Sequence, residues 1–173
     1  MGEAVVVATK ETLIDFDRTL DRYQRYGEDL ANRFENGTFS KVLNMGPGLV
    51  LMSLEDSTSG IRMHLSPEDA NVTLYREAAQ KLLGLPFPLE AFYAFAADDP
   101  VLSAMVGANH GFRPTLQPNP FEMLVASITA QQINLPFAFT TRSRLVRTYG
   151  DTITVNGEVF YAFPSPENLA GAE

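Results

Sequence analysis

NPFEMLVASITAQQINLPFAFTTRSRLVRTYG, residues 119–150, decides how the second half of this chain folds. Asn119 carries the short oxygen-bearing side chain that caps a helix. Pro120 falls at the first helical position, where its missing N–H costs nothing, and Glu122 stands three residues after the cap, where a carboxylate can close a capping box. Phe121, Leu124, Val125 and Ile128 recur at helical spacing and predict one buried face. The polar corner Gln131-Gln132-Ile133-Asn134 interrupts this pattern. A second helix is expected to open at Asn134, with Pro136 in its first turn, and to run through Leu145, Val146 and Tyr149 to Gly150.

Beyond that pair, Val155-Asn156-Gly157-Glu158 reads as a hairpin turn between short extended pieces, and Ser165-Pro166-Glu167 starts another helix. Before it, Leu89, Phe92, Tyr93 and Phe95 suggest a short helix, and Asp98-Asp99-Pro100 opens the next. The rigid connector Leu85-Pro86-Phe87-Pro88 marks the expected boundary between residues 1–88 and an all-helical stretch over residues 89–173. The aromatic group Phe87, Phe92, Tyr93 and Phe95 beside it is expected to pack between the two halves rather than to form a base-stacking platform.

Residues 1–88 read as α+β. A β-branched run over residues 5–8 suits one strand, and Asp17 is the expected cap of a helix reaching from Leu20 through Tyr23 to Leu30, with Gly37 closing the region. Residues 39–45, 49–55 and 61–65 are three strands separated by turn chemistry at Gly46-Pro47-Gly48 and Asp56-Ser57-Thr58-Ser59-Gly60. Ile61, Met63 and Leu65 alternate with Arg62 and His64, which predicts one buried and one wet face. Ser66-Pro67-Glu68-Asp69 is expected to start a helix carrying Tyr75, Ala78, Ala79, Leu82 and Leu83 to a stop at Gly84. The fold expected is an antiparallel sheet with helices covering one face.

Composition narrows the function. The 173 residues are 45% hydrophobic and include no cysteine, which removes disulfides, thiolate metal sites and thiol nucleophiles. No signal-like leader and no apolar run near the roughly 18 residues of a membrane span is visible, so a cytoplasmic protein without membrane partners is expected. The formal charge of −8 argues against a stand-alone nucleic-acid binder, because phosphate affinity comes from clustered Lys and Arg.

Against that background, one resemblance is carried by particular residues. Phe92-Tyr93-Ala94-Phe95-Ala96-Ala97-Asp98-Asp99-Pro100-Val101-Leu102 comes first, then Gly111-Phe112-Arg113-Pro114 and Asn119-Pro120-Phe121-Glu122. Next is Ala126-Ser127-Ile128-Thr129-Ala130-Gln131-Gln132-Ile133-Asn134, followed by Arg144-Leu145-Val146, Tyr149-Gly150 and the run from Phe163 to Ala170. Together they resemble the helix-hairpin-helix DNA glycosylase superfamily, in its alkyl-base branch, the DNA-3-methyladenine glycosylase II type. Residues 1–88 are similar in element order to that family's N-terminal α/β domain, a half-saddle related to the TATA-binding fold.

The resemblance implies removal of alkylated bases from double-stranded DNA, with the damaged nucleotide flipped out and a buried carboxylate promoting cleavage. It also implies a wedge side chain at the corner between two helices, here Gln131-Gln132-Ile133-Asn134, with Gln132 the first choice and Gln131 the next. A flat amide can fill a base-sized gap and hydrogen-bond the orphaned base. The family's Leu-Pro-Gly-x-Gly hairpin and the catalytic Asp after it have no counterpart in residues 1–173. No catalytic residue is therefore assigned, and the resemblance implies an N-terminal portion, inactive alone, that self-associates or needs a further half. The aromatic that lines the family's base pocket falls near Arg22 and Tyr23.

Arg142, Arg144 and Arg147 do not share one helical stripe and are expected on a solvated face rather than along phosphates. Asp15 with Asp17, and Asp98 with Asp99, read as helix caps instead of metal pairs. His64 is expected on the outer sheet face and His110 in a loop, with no metal and no cofactor. The alternative function is a non-catalytic module that binds DNA or a protein partner through its sheet, and a third is that a separate polypeptide supplies the remaining helices.

Overall fold

Five antiparallel strands in the order β1-β5-β4-β3-β2 carry the core of the computed structural model, which describes residues 4–171. They are β1 (Val5–Thr9), β2 (Arg33–Glu35), β3 (Thr38–Asn44), β4 (Leu49–Ser57) and β5 (Gly60–Ser66). In β4 the even residues Val50, Met52 and Leu54 are buried under α1 (Phe16–Leu20), α2 (Arg22–Arg25) and α3 (Val72–Leu82). The side chains of β5 follow the expected alternation, with Ile61 and Met63 in the core and Arg62 and His64 on the other face.

Four local expectations for this half are revised. The first helix is capped by Asp15, whose Oδ1 accepts the Arg18 N–H at 3.0 Å, so Asp17 lies within its first turn. That helix is over by Leu20; α2 adds one turn and Leu30 lies in the loop beyond Gly27, whose φ of +123° ends the helical run. Ser66 starts no helix because it is still in the sheet, opposite Leu51; Asn71 caps α3 instead, accepting the Leu74 N–H at 3.3 Å. Finally, Asn36 and Gly37, at φ +51° and +74°, form a hairpin turn that pairs β2 with β3 and adds a fifth strand.

The second half contains α4 (Leu89–Ala96), α5 (Pro100–Ala108), α6 (Pro120–Thr129), α7 (Leu135–Tyr149), the hairpin β6 (Thr152–Val155) and β7 (Glu158–Tyr161), and α8 (Pro166–Ala170). Asp99, Asn119, Asn134 and Ser165 cap their helices as expected. Asn156 and Gly157 supply the two positive-φ residues of the β6–β7 turn. The hairpin lies on the sheet's outer face, where Val42 and Leu51 pack with Ala162, Ile153, Val155 and Phe160. A buried Arg113 ties the two halves at the connector: its Nε donates to the Leu13 carbonyl at 2.8 Å and its Nη1 to those of Gly84 and Phe87 at 3.0 and 2.9 Å. Burial lowers the pKa of that guanidinium.

The aromatic group at the connector does not pack between the halves. Phe95 is 74% exposed, and Phe87 and Phe92 stand partly in solvent with their rings 6.3 Å apart. Leu89 and Ala96 are the buried residues of α4, and α5 buries none. Tyr93 is the structural member of the group, its hydroxyl accepting the Gly111 N–H at 2.8 Å.

Candidate nucleic-acid interface

The turn between α6 and α7 projects all four of its side chains into solvent: Gln131, Gln132, Ile133 and Asn134 are exposed. Its shape follows from the two helix ends. The backbone N–H of Ala130 closes α6 on the Ala126 carbonyl, and Gln131 N–H reaches the Ile128 carbonyl at 3.2 Å. Asn134 then caps α7, its Oδ1 accepting the Phe137 N–H at 2.9 Å. Between these, Gln132 takes φ +60°, a left-handed conformation that non-glycine residues adopt rarely and, outside Asn and Asp, at some cost in strain. The Asn134 side chain is thus committed to the cap, while the Gln131 and Gln132 amides face solvent.

At the start of α6 a buried polar network replaces the expected capping box. Glu122 does not turn back on Asn119. It is drawn instead to Lys41 of β3, whose Nζ lies 2.7 Å from Oε2 and 3.0 Å from Oε1, with side chains only 1% and 3% exposed. Asn32 joins the pair: its Nδ2 donates to Glu122 Oε1 at 2.9 Å and its Oδ1 accepts from Lys41 Nζ at 2.9 Å. The same Nδ2 lies within 3.3 Å of Asp29 Oδ1, and Asp29 in turn holds the Arg142 guanidinium of α7. Burial pushes the Asp29 carboxyl above its ordinary range, opposed by Arg142 and Lys41.

This corrects the reading of the arginines. Arg142 is 13% exposed, with its guanidinium 4.3 Å from the Phe139 ring as well as against Asp29, so it neither lies on a solvated face nor is free for phosphate. Arg147 pairs with Glu28 at 3.1 Å on the surface, and Arg144 is exposed. The pattern contained one sign of the network: Lys41 shares strand parity with the core residues Phe39 and Leu43, a position that a lysine enters only with a partner.

The predicted buried face of α6 is only half realised. Phe121 and Val125 pack on the cluster of Ala31, Val146 and Phe163, while Leu124 and Ile128 are each 56% exposed. Leu145, on α7, is partly buried against the same cluster. Met123, Ile133, Leu135 and Phe137 extend the apolar surface around the corner.

The other sequence candidates resolve structurally. Tyr23 is buried, its ring 5.3 Å from Phe39 and its hydroxyl accepting from Gln117 Nε2 at 3.0 Å, and burial raises its pKa. Arg22 lies over that ring at 5.6 Å. Asp99 caps α5 through the Val101 and Leu102 N–H groups. On the outer sheet face Glu55 receives Arg62 at 2.9 Å and His64 at 3.2 Å, while His110 lies beside Tyr93, ring centres 5.5 Å apart. Among the described residues no group of three or more His, Cys, Asp or Glu side chains could hold a metal ion.

The homologues of this chain are DNA glycosylases of the helix-hairpin-helix superfamily. A "DNA-3-methyladenine glycosylase" of Bacillus subtilis is 29% identical over 172 residues, 96% of this chain and 57% of the relative. A "Probable N-glycosylase/DNA lyase" of Methanothermobacter thermautotrophicus is 33% identical over 159 residues, 91% of this chain and 50% of the relative. The chain therefore spans about half the length of the curated relatives it matches.

The solved 3-methyladenine DNA glycosylase of Archaeoglobus fulgidus superposes with a TM-score of 0.83 at 20% identity, over 94% of this chain and 57% of that one. The 8-oxoguanine glycosylase/lyase of Clostridium acetobutylicum, solved in complex with double-stranded DNA, gives 0.70 at 17% over 92% and 51%. At these identities the superpositions establish the mixed α/β fold. No protein-family model matches the chain.

Proposed function

We propose that this chain is the duplex-probing half of a DNA glycosylase that removes alkylated bases such as 3-methyladenine, and that Gln131-Gln132-Ile133-Asn134 is its wedge. The observation that carries the reading is the exposed corner itself. Two capped helices converge on it, and Gln132 is held at φ +60° with its amide in solvent. A side chain held at a tip by strained backbone is suited to entering a base stack, where the gap is sized for a flat polar group.

In this reading residues 1–88 form an α+β unit of the half-saddle, TATA-binding type, and residues 89–173 open the helical glycosylase unit. The protein works in the cytoplasm on double-stranded DNA. Its homology to glycosylases over about half their length supports this, as does the solvent-facing apolar surface of α5 and α6, which is suited to further helices or to self-association. With a charge of −8 the chain alone is expected to bind duplex weakly and at low ionic strength, with further phosphate-binding surface coming from whatever covers that face. The sheet-binding alternative is less supported, because the β6–β7 hairpin covers Val42 and Leu51 on the free sheet face.

The test is a pair of assays on this chain: fluorescence anisotropy with a duplex bearing an abasic-site analogue, and base release from alkylated duplex. Binding lost on Gln132→Ala, with no base release, is expected. Base release by the chain alone would move the chemistry into these residues, and binding indifferent to Gln132 would remove the wedge.

A further inference from the structure

We propose that Lys41 and Asp29 are positioning residues for the corner: two buried ion pairs, Lys41–Glu122 and Asp29–Arg142, bridged by Asn32, clamp α6 to β3 and α7 to the loop before β2 and fix the direction in which the corner points. The functional importance of that direction rests on the wedge reading. The clamp itself rests on geometry alone.

Three observations combine. First, the anchors lie on different elements of each half. Lys41 is in the middle of β3 and Asp29 in the loop before β2, while Glu122 is in the first turn of α6 and Arg142 in the middle of α7. Second, apolar packing leaves the distal half of α6 unsupported, since Leu124 and Ile128 are mostly exposed and only Phe121 and Val125 reach the small cluster around Val146. Hydrophobic contact is non-directional, whereas a lysine shared between two carboxylate oxygens and an amide oxygen admits one arrangement. Third, the network is closed: Asn32 contacts Lys41, Glu122 and Asp29 at once, so movement of one pair is felt by the other.

The lever is long. From Glu122 to Gln131 is nine residues, about 14 Å at the α-helical rise, so a pivot of about 10° at the anchor swings the corner by about 2.4 Å. That exceeds the roughly 0.5 Å to which a functional group has to be held. The same residues viewed only as stabilisers carry a different expectation, because a buried ion pair replaced by apolar side chains of similar volume often leaves a protein as stable or more so.

The chain contains no cysteine, so spin labels can be placed at Thr58→Cys on the β4–β5 turn and at Gln131→Cys without background. Pulsed dipolar spectroscopy then reads the sheet-to-corner distance. The parent is expected to give one narrow distribution. Lys41→Met with Glu122→Met is expected to keep its thermal midpoint and yet broaden that distribution by about 2 Å. An unbroadened distribution in the folded double variant overturns the clamp.

Asp29→Asn with Arg142→Met, measured in parallel, gives the same decision if the first variant does not fold. A separate arm follows 2-aminopurine fluorescence in a duplex with an abasic-site analogue, using unlabelled chain. If the parent produces no Gln132-dependent rise, the wedge reading fails while the distance measurement still decides the clamp. If the parent does, the double variant is expected to lose most of the rise, and an undiminished rise counts against the clamp.

Discussion

Glu122→Gln is the perturbation whose size the structure constrains most closely. The carboxylate is 3% exposed and receives Lys41 at 2.7 and 3.0 Å and Asn32 at 2.9 Å. Removing its charge leaves a lysine 1% exposed with only neutral acceptors, namely the amide oxygen that the substitution retains, the Asn32 amide oxygen at 2.9 Å and the Ala31 carbonyl at 3.4 Å. Breaking a buried pair from one side costs about 3–5 kcal/mol, and the surviving acceptors place the loss near the lower end, about 3 kcal/mol. For a domain of this size each kcal/mol moves the midpoint by about 2–4 °C, so a fall of roughly 6–12 °C is expected. Thermal melts followed by far-ultraviolet circular dichroism measure it, with urea titration checking that the m-value is unchanged. A fall of less than about 2 °C would refute the reasoning, because Lys41 would then have found solvent or a partner the structure does not give it.

Other residues give independent expectations. Gly111→Ala places a Cβ 2.7 Å from the Asp15 amide nitrogen at φ +80°, so a loss of about 1–3 kcal/mol in urea unfolding is expected. Glu55 is held below the usual carboxylate range, first by its hydrogen bond from Arg62 and then by that from His64. Its contribution to stability is present above the unfolded-state pKa and is lost as pH falls through the folded one, so Glu55→Gln flattens the acid limb of a stability–pH curve below about pH 4.5. The effect is well under ~1 kcal/mol because the pair is partly solvated. Asp29 has the opposite sign: its raised pKa means stability is lost as pH rises from its unfolded value near 3.8 through the folded one, and Asp29→Asn removes that slope. Leu124→Gln with Ile128→Gln is expected to leave the thermal midpoint unchanged within ~0.5 kcal/mol while reducing self-association in sedimentation velocity; a loss above ~1 kcal/mol would show that these side chains are covered.

The legible parts of the fold are those decided within a few residues. Asn119, Asn134, Asp99 and Ser165 each hold a backbone N–H two or three positions on, and Gly84, at φ +66°, takes a conformation that suits glycine just past a helix end. Asn36-Gly37 is an equally local signal, and treating Gly37 only as an ending hides the strand it creates. The misread residues are those whose partners lie far away in the chain. Glu122 fits a capping box by spacing, and nothing local shows that Lys41, 81 residues away, outcompetes the Asn119 backbone for it. Arg142 likewise looks solvated until Asp29, 113 residues distant, is brought beside it. Ser66 is a good cap in isolation and loses to the ladder hydrogen bonds opposite Leu51. Of the candidate site, the corner was visible in residues 119–150, whereas the buried network that aims it was not.

The central claim concerns one side chain entering a duplex, and the side-chain amide resonances report it directly. On titration with a duplex carrying an abasic-site analogue, the Gln132 amide pair is expected to shift and broaden first, with Gln131 following, while those of Gln24, Gln80 and Gln117 stay in place. A Gln132 signal that stays unmoved at saturating duplex would contradict the account.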